Sequence, residues 1–227
     1  MRKTILLMRR ERILMKNEIR NTTIITTIIC LIPMLAGVIL YNKLPDQIAI
    51  HWGANGEANG WAGKFVGIIV LPGILVLVNL IVPLLLKTDP KYSNISDKTK
   101  KLIQWIIPVI AIFASSVTLA EGLGVKTNTS LLGELLIGVI FTIIGNYLPK
   151  MSQSYTVGIV LPWTLADEEN WDKTHRFAGR LWVICGVLMI ISAFLPVRMP
   201  ATIVLAAVMV LVPTVYSYML YMKNKIS

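Results

Sequence analysis

The chain has 227 residues, 55% of them hydrophobic and 15% charged, with a mean hydropathy of +0.68. A soluble domain of this length cannot bury that much apolar surface, so composition excludes an ordinary water-soluble globule and favours an integral membrane protein. The formal charge of +10 is placed too unevenly for a nucleic-acid surface, and no direct nucleic-acid partner is expected.

Residues 1–21 form a basic segment with Arg2, Lys3, Arg9, Arg10, Arg12, Lys16 and Arg20. It is too charged for a signal peptide, and Met8 and Met15 offer alternative starts. Crossing the hydrocarbon core takes about 20 mostly apolar residues. Six windows meet this length: 22–41, 65–86, 102–120, 131–148, 180–198 and 200–222. Pro33, Pro72, Pro108 and Pro213 fall inside them, which membrane helices tolerate because neighbouring groups re-satisfy the backbone. The runs are continuously apolar, so a β-barrel is disfavoured. Of the 22 basic residues, 18 lie in the N-terminal segment, the loops after the second and fourth spans, and the C-terminus. That asymmetry predicts both termini in the cytoplasm. The expected fold class is therefore all-α: a polytopic membrane protein with six transmembrane helices and one interfacial amphipathic helix before the fifth. Four segments follow from this reading: 1–21, a basic N-terminal segment; 22–148, the first four spans; 149–179, a cytoplasmic loop and amphipathic helix; and 180–227, a final hairpin whose tight turn is "RMP", 198–200.

The outward loop, 42–64, reads "NKLPDQIAIHWGANGEANGWAGK". Ile48, Ile50 and Trp52 alternate with Gln47, Ala49 and His51, a short period-two pattern. Asn55-Gly56 supplies a hairpin-type turn, and Asn59-Gly60 repeats the signal. Trp52 and Trp61 suit the headgroup region. Two readings stay open, an ordered loop lying on lipid and a recognition surface. The candidate recognition residues are Pro45, His51, Trp52, Gly56, Gly60, Trp61 and Lys64.

The inner connector, "GIVLPWTLADEENWDKTHRFAGR", spans Gly158 to Arg180. Thr164 reads as a helix N-cap with Asp167 at the third helical position. Asp167, Glu168 and Glu169 then crowd the first turn, where the helix dipole favours negative charge. Glu169 with Lys173 and Asp172 with Arg176 are acid-first pairs four residues apart. Trp171, His175, Ala178 and Trp182 make one stripe. The spacing predicts an amphipathic helix over about 164–179 that runs on into the fifth span and lies in the interface.

No catalytic set is present. His51 and His175 fall on opposite sides of the membrane, and no zinc-protease, nucleophile-elbow or P-loop motif occurs. His175 with Asp172 and Glu168 is a weak metal signal, and a structural or interface histidine is the better reading. Cys30 and Cys185 read as small apolar core residues. Asn79, Gln104, Glu134 and Asn146 are polar within spans, where such groups often mark transport pathways. A relay role for Glu134 is the lesser reading. Neither a metal nor a cofactor is expected.

The inner stretch "VGIVLPWTLADEENWDKTHRFAGRLW" resembles the signature of SdpI-type membrane proteins, a G-I-R-T-P-W-T-L…W…T-H-R-x-x-G pattern. The outer loop resembles the small uncharacterised membrane domain often found at the N-terminus of that family. Where the pattern has a basic residue and a threonine, this chain has Val160 and Leu161. The resemblance implies a multi-pass immunity protein of the bacterial cytoplasmic membrane that protects against a secreted toxic peptide. It also implies a signal transducer that holds a small helix-turn-helix repressor at the membrane. Its partner-binding residues would be Gly158, Pro162, Trp163, Thr164, Trp171, Thr174, His175, Arg176 and Gly179. A small membrane transporter or enzyme, and an envelope scaffold with no toxin link, are the competing readings; membrane lipid is a partner under all of them.

Reporter fusions at residue 170 and at the C-terminus should both give a cytoplasmic signal. An outer-compartment signal at either site would overturn the charge-based topology.

Overall fold

Hydrocarbon offers no water to a backbone N–H or C=O, so an apolar run must satisfy its own hydrogen bonds as a helix. The structure, a computed structural model, describes residues 2–53, 55–196 and 198–226. The side chains of residues 2–18, Arg198 and Ile226 lie outside this description, so the basic N-terminal segment is followed in backbone alone. The helices are α1 (Arg2–Leu40), α2 (Leu71–Lys87), α3 (Asp97–Gly122), α4 (Thr129–Tyr147), α5 (Pro162–Ala166), α6 (Glu168–Ser192) and α7 (Arg198–Ile226). Six segments are long and apolar enough to cross a membrane: Ile19–Lys43, Val66–Lys87, Asp97–Gly122, Thr129–Lys150, Glu168–Ser192 and Met199–Lys225. Two strands, β1 (Gln47–Trp52) and β2 (Ala58–Gly63), pair as the single sheet among the described residues.

Three expectations are corrected. The fifth span was expected to end at 198 and turn at the "RMP", but its helix, Glu168–Ser192, ends six residues earlier and residues 193–196 form the turn ahead of 198–200. The acidic first turn lowers local hydropathy without interrupting the helix. Asn59-Gly60 is strand, not turn; the glycine serves the close approach of the paired strands, since a Cβ on Gly60 would sit 2.8 Å from the His51 Cβ across the hairpin. The N-cap of α6 is Asp167, whose Oδ1 accepts from the Glu169 N–H at 2.9 Å; Thr164 lies inside α5.

The chain divides into two compact units. The first comprises Met1–His51, Ala58–Thr88 and Asp97–Thr127, the second Trp52–Glu57, Asp89–Ser96 and Asn128–Ser227. In the first, Ile48 of β1 is buried with Leu44, Ile68 and Leu119. A π-helical stretch, Val66–Val70, leads into α2, and its Gly67 leaves room for the Ile48 side chain, 2.5 Å from where a Cβ would stand. Lys64 closes the hairpin base: its N–H donates to the Asp46 carbonyl at 2.9 Å and its ammonium lies 3.1 Å from the Asp46 carboxylate. Deeper in the same unit, side-chain amides stitch three helices together. Asn79 Nδ2 of α2 donates to Thr26 and Thr27 Oγ1 of α1 at 3.2 and 3.0 Å. Gln104 Nε2 of α3 donates to Thr23 Oγ1 at 3.1 Å.

In the second unit α4 and α6 meet backbone to backbone. A Cβ on Gly138 would stand 2.9 Å from the Gly186 carbonyl oxygen, and one on Gly145 would stand 2.9 Å from that of Gly179. Each helix thus carries two glycines seven residues apart on the contact face, the small-residue solution to helix association in membranes. Helix α7 joins through a proline. Pro213 has no N–H for the carbonyl of Met209 four residues back, and Trp182 Nε1 of α6 donates to that carbonyl at 2.9 Å. Cys185, Met189 and Met209 are buried beside this bond.

Replacing Gly145 by Val forces side-chain atoms into the α6 backbone and should cost about 2 kcal/mol. Gly133→Ala, on the same helix with nothing within 4 Å of its Cβ, should be neutral or slightly stabilising. Thermal melting of the detergent-purified variants measures both, and equal effects would remove the α4–α6 contact from the account.

Candidate functional site: the signature connector

The residues that carry the sequence signature lie between α4 and α6 and in the first turns of α6. All belong to the second unit. Two rings organise them. Trp171 and His175, one turn apart, stack with centroids 4.0 Å apart and planes inclined by 21°, and both are buried, at 0% and 1% exposure. Neither has water to meet its polar atoms, so each takes backbone from the connector. Trp171 Nε1 donates to the Met151 carbonyl at 2.8 Å. His175 Nε2 accepts from the Ile159 N–H at 2.9 Å, while Nδ1 lies 2.8 Å from the Trp171 carbonyl. Both His175 bonds form together only in the neutral ring with its hydrogen on Nδ1.

Gly158 makes this closure sterically feasible. Its φ is +113°, outside the range L side chains favour. A Cβ there would also lie 2.5 Å from His175 Nε2 and 2.9 Å from two ring carbons of Trp171. The connector then turns into α5, with Pro162 in the first turn, where a missing N–H costs nothing. Thr164, fully buried, ties the turn: its hydroxyl accepts from the Leu161 N–H at 3.0 Å and faces the Ile159 carbonyl at 2.8 Å. Gln153 Nε2 donates to the carbonyls of Thr164 and Leu165 at 2.8 and 3.0 Å, and Lys91 donates to its Oε1.

A second anchor is Asp89. Its Oδ2 accepts from the Tyr155 N–H, the Thr156 N–H and the Thr156 hydroxyl at 2.9, 3.0 and 2.6 Å, and its Oδ1 from the Lys91 N–H at 2.7 Å. Burial pushes the carboxyl up, but the Thr156 hydroxyl and the N–H groups of Lys91, Tyr155 and Thr156 outweigh it and hold the group below the ordinary aspartate value. Helix α7 is tied in through Ser217. Trp163 Nε1 donates to its Oγ and Asn170 Nδ2 to its carbonyl, both at 2.9 Å. Thr174 Oγ1 donates to Asn170 Oδ1 at 3.0 Å, and Trp163 packs edge-on against Tyr218 at 5.3 Å.

Of the nine inner residues singled out from sequence, Thr164, Trp171, Thr174, His175 and Gly179 are interior and shape the connector, and Gly158 sets its closure. Pro162 and Arg176 are exposed, with Trp163 between the two classes. Exposed Asp172, Lys173, Arg176 and Arg180 form the charged face of α6. The Glu169–Lys173 pair forms at 2.6 Å, whereas Arg176 Nε donates to the Asp172 carbonyl at 3.3 Å. Val160, where the signature has a basic residue, is exposed at 36%. Asp89, Gln153, Asn170 and Ser217 were not singled out. Asn170 had a local signal, one turn before Thr174; Asp89 and Ser217 arrive from distant segments and had none.

Of the hairpin residues, Pro45, His51 and Trp61 are exposed and Trp52, Gly56, Gly60 and Lys64 partly so. Gly56 has φ +80°, as the Asn-Gly turn requires. His51 Nδ1 lies 2.5 Å from Asn59 Oδ1, and Lys64 serves the hairpin base described above. His51 and His175 belong to different units.

Residues 150–217 match the SdpI/YfhL protein family, and residues 28–76 match a domain family of unknown function, DUF1648. The chain is 28% identical over 203 residues to a protein named immunity protein SdpI from Bacillus subtilis (strain 168), covering 88% of this chain and 96% of that protein. No solved structure matches.

Gly158→Ala should cost about 2 kcal/mol or more, combining a disfavoured φ with overlap on His175 and Trp171. Val160→Ala should stay within about 0.5 kcal/mol. Indistinguishable melting of the two variants would show that the connector does not close on His175.

Proposed function

We propose that this chain, a member of the SdpI/YfhL family through residues 150–217, is a bacterial membrane immunity protein that protects its cell from a secreted toxic peptide. The observation that carries this reading is the similarity to the immunity protein from Bacillus subtilis, which spans nearly the whole of both chains. The geometry fits binding better than catalysis. His175, the most versatile group of the signature, has both ring nitrogens engaged with backbone.

The reading divides the work between two surfaces. The β1–β2 hairpin, with exposed Pro45, His51 and Trp61, faces outward and meets the peptide. The connector and the first turns of α6 lie at the cytoplasmic interface, where the buried Trp171–His175 pair holds a charged face toward the cytosol. Arg176, Lys173 and Asp172 on that face, together with Pro162 and Trp163 of α5, contact a small helix-turn-helix repressor. Val160 stands at an exposed position where the signature has a base, so the repressor surface recognised here is less acidic at that point.

Expression in a toxin-sensitive host should raise survival under challenge with the cognate peptide. Arg176→Ala should weaken repressor capture several-fold with melting temperature and membrane level unchanged. Survival equal to the empty-vector control for both the cognate peptide and related membrane-active peptides would sink the immunity reading. Retained survival with undiminished capture by Arg176→Ala would sink only the assignment of the inner face.

A further inference from the structure

The helices of the first unit carry a polar junction that the immunity reading does not use. Thr23, Thr26 and Thr27 occupy just over one turn of α1, and Asn79 of α2 and Gln104 of α3 converge on their hydroxyls. Every donor hydrogen whose partner is known points at an acceptor within the junction or the helix. Thr26 and Thr27 hydroxyls donate to the Thr23 carbonyl at 3.1 and 2.7 Å, and the Thr23 hydroxyl to the Ile19 carbonyl at 3.0 Å. The threonine oxygens can then only receive, so the amides must present nitrogen to them. Rotating either amide would set oxygen against oxygen with no hydrogen between.

What remains is one-sided. Asn79 Oδ1 and Gln104 Oε1 are buried and accept no hydrogen bond from the described residues, although each side chain is 1% exposed. Prolines add to the surplus of acceptors: Pro83 lies four residues after Asn79 and Pro108 four after Gln104, so the backbone carbonyls of these same two residues lose their usual helical donor. In the second unit a proline-freed carbonyl receives an indole N–H. Here the residues with freed carbonyls also bring unmatched side-chain oxygens.

A water molecule would satisfy these oxygens by donating to them, but its own two lone pairs would meet no donor among the junction groups named above. A cation needs acceptors alone. The junction holds no carboxylate, so a doubly charged ion would be poorly compensated, whereas neutral oxygen dipoles and carbonyls freed in interrupted helices suit a single charge. Lys100, four residues before Gln104, lies 3.3 Å from Asp97, which balances its charge within its own turn. Asn79 lies eight residues from Lys87 and Gln104 seven from Asp97, so at about 1.5 Å per residue the site is roughly 10–12 Å from the ends of α2 and α3 that lie on one side. We propose that Asn79 and Gln104, set on the Thr23–Thr27 turn, form a shallow intramembrane binding site for one alkali-metal cation.

The test uses the full chain in detergent micelles. Sodium or potassium chloride is titrated against N-methyl-D-glucamine chloride at constant ionic strength, with melting temperature and equilibrium binding of radioactive sodium and rubidium as readouts. One alkali ion should raise the melting temperature saturably, by about 3–6 °C at roughly ten times its Kd, and the labelled ion should bind with one-site saturation. Asn79→Leu and Gln104→Leu should abolish the ion dependence, while Asn79→Asp should retain or strengthen it. Melting independent of the cation together with no saturable binding to the unmodified protein would overturn the proposal, whether or not the variants fold.

Discussion

Contact between the backbones of α4 and α6 is the constraint on which the second unit depends. Without side chains at Gly138, Gly145, Gly179 and Gly186, the two helices approach until carbonyl oxygens stand within 3 Å of where a Cβ would be. The apolar effect does not drive helices together in lipid, so such close packing has to supply much of the attraction. It also fixes the two ends between which the connector must run. A segment that leaves α4 at Tyr147 and returns at Glu168 has little freedom once those helices are locked, and it folds back over the turn of α6 that carries Trp171 and His175.

That turn shows how polar atoms are handled where water is scarce. Trp163, Trp171 and Trp182 each give their indole N–H to a named oxygen, respectively the Ser217 hydroxyl, the Met151 carbonyl and the Met209 carbonyl. Each of these bonds joins segments distant in sequence. The large apolar ring supplies contact area and the single N–H supplies direction, so the tryptophans act as oriented fasteners. Thr174, Asn170 and Ser217 extend the same logic between α6 and α7. A signature that reads as polar and charged in one dimension divides, in three, into interior scaffolding at Thr164, Asn170, Trp171, Thr174 and His175 and an exposed charged face at Asp172, Lys173, Arg176 and Arg180.

Much of the fold was legible because length and continuity of apolar residues are nearly sufficient to specify a membrane helix. The hairpin turn at Asn55-Gly56 was legible for the equally local reason that φ must be positive there. Boundaries were harder. The charge pairs and the Trp171–His175 stripe pointed to a helix running on into the fifth span, but a hydropathy window placed its end at 198, six residues past Ser192. Glycine was the most ambiguous letter: at Gly56 it serves a turn, at Gly60 a cross-strand approach, and at Gly145 and Gly186 a helix contact. The seven-residue spacing of glycines in the fourth and fifth spans was the available signal for the last. Asp89 could not have been found, because its meaning lies in the N–H groups of Tyr155 and Thr156, more than sixty residues away.

The bond between Trp182 and the Met209 carbonyl has a consequence for how this chain can change over time. Its acceptor exists in that form because Pro213 withholds a hydrogen. A substitution restoring an amide at 213 would set a backbone N–H in competition with the indole for one oxygen, and loss of the indole would leave a freed carbonyl facing an apolar core. Neither residue has a fixed value by itself; the worth of each is set by the presence of the other. Across descendants of this sequence, positions 182 and 213 are expected to drift as a linked pair.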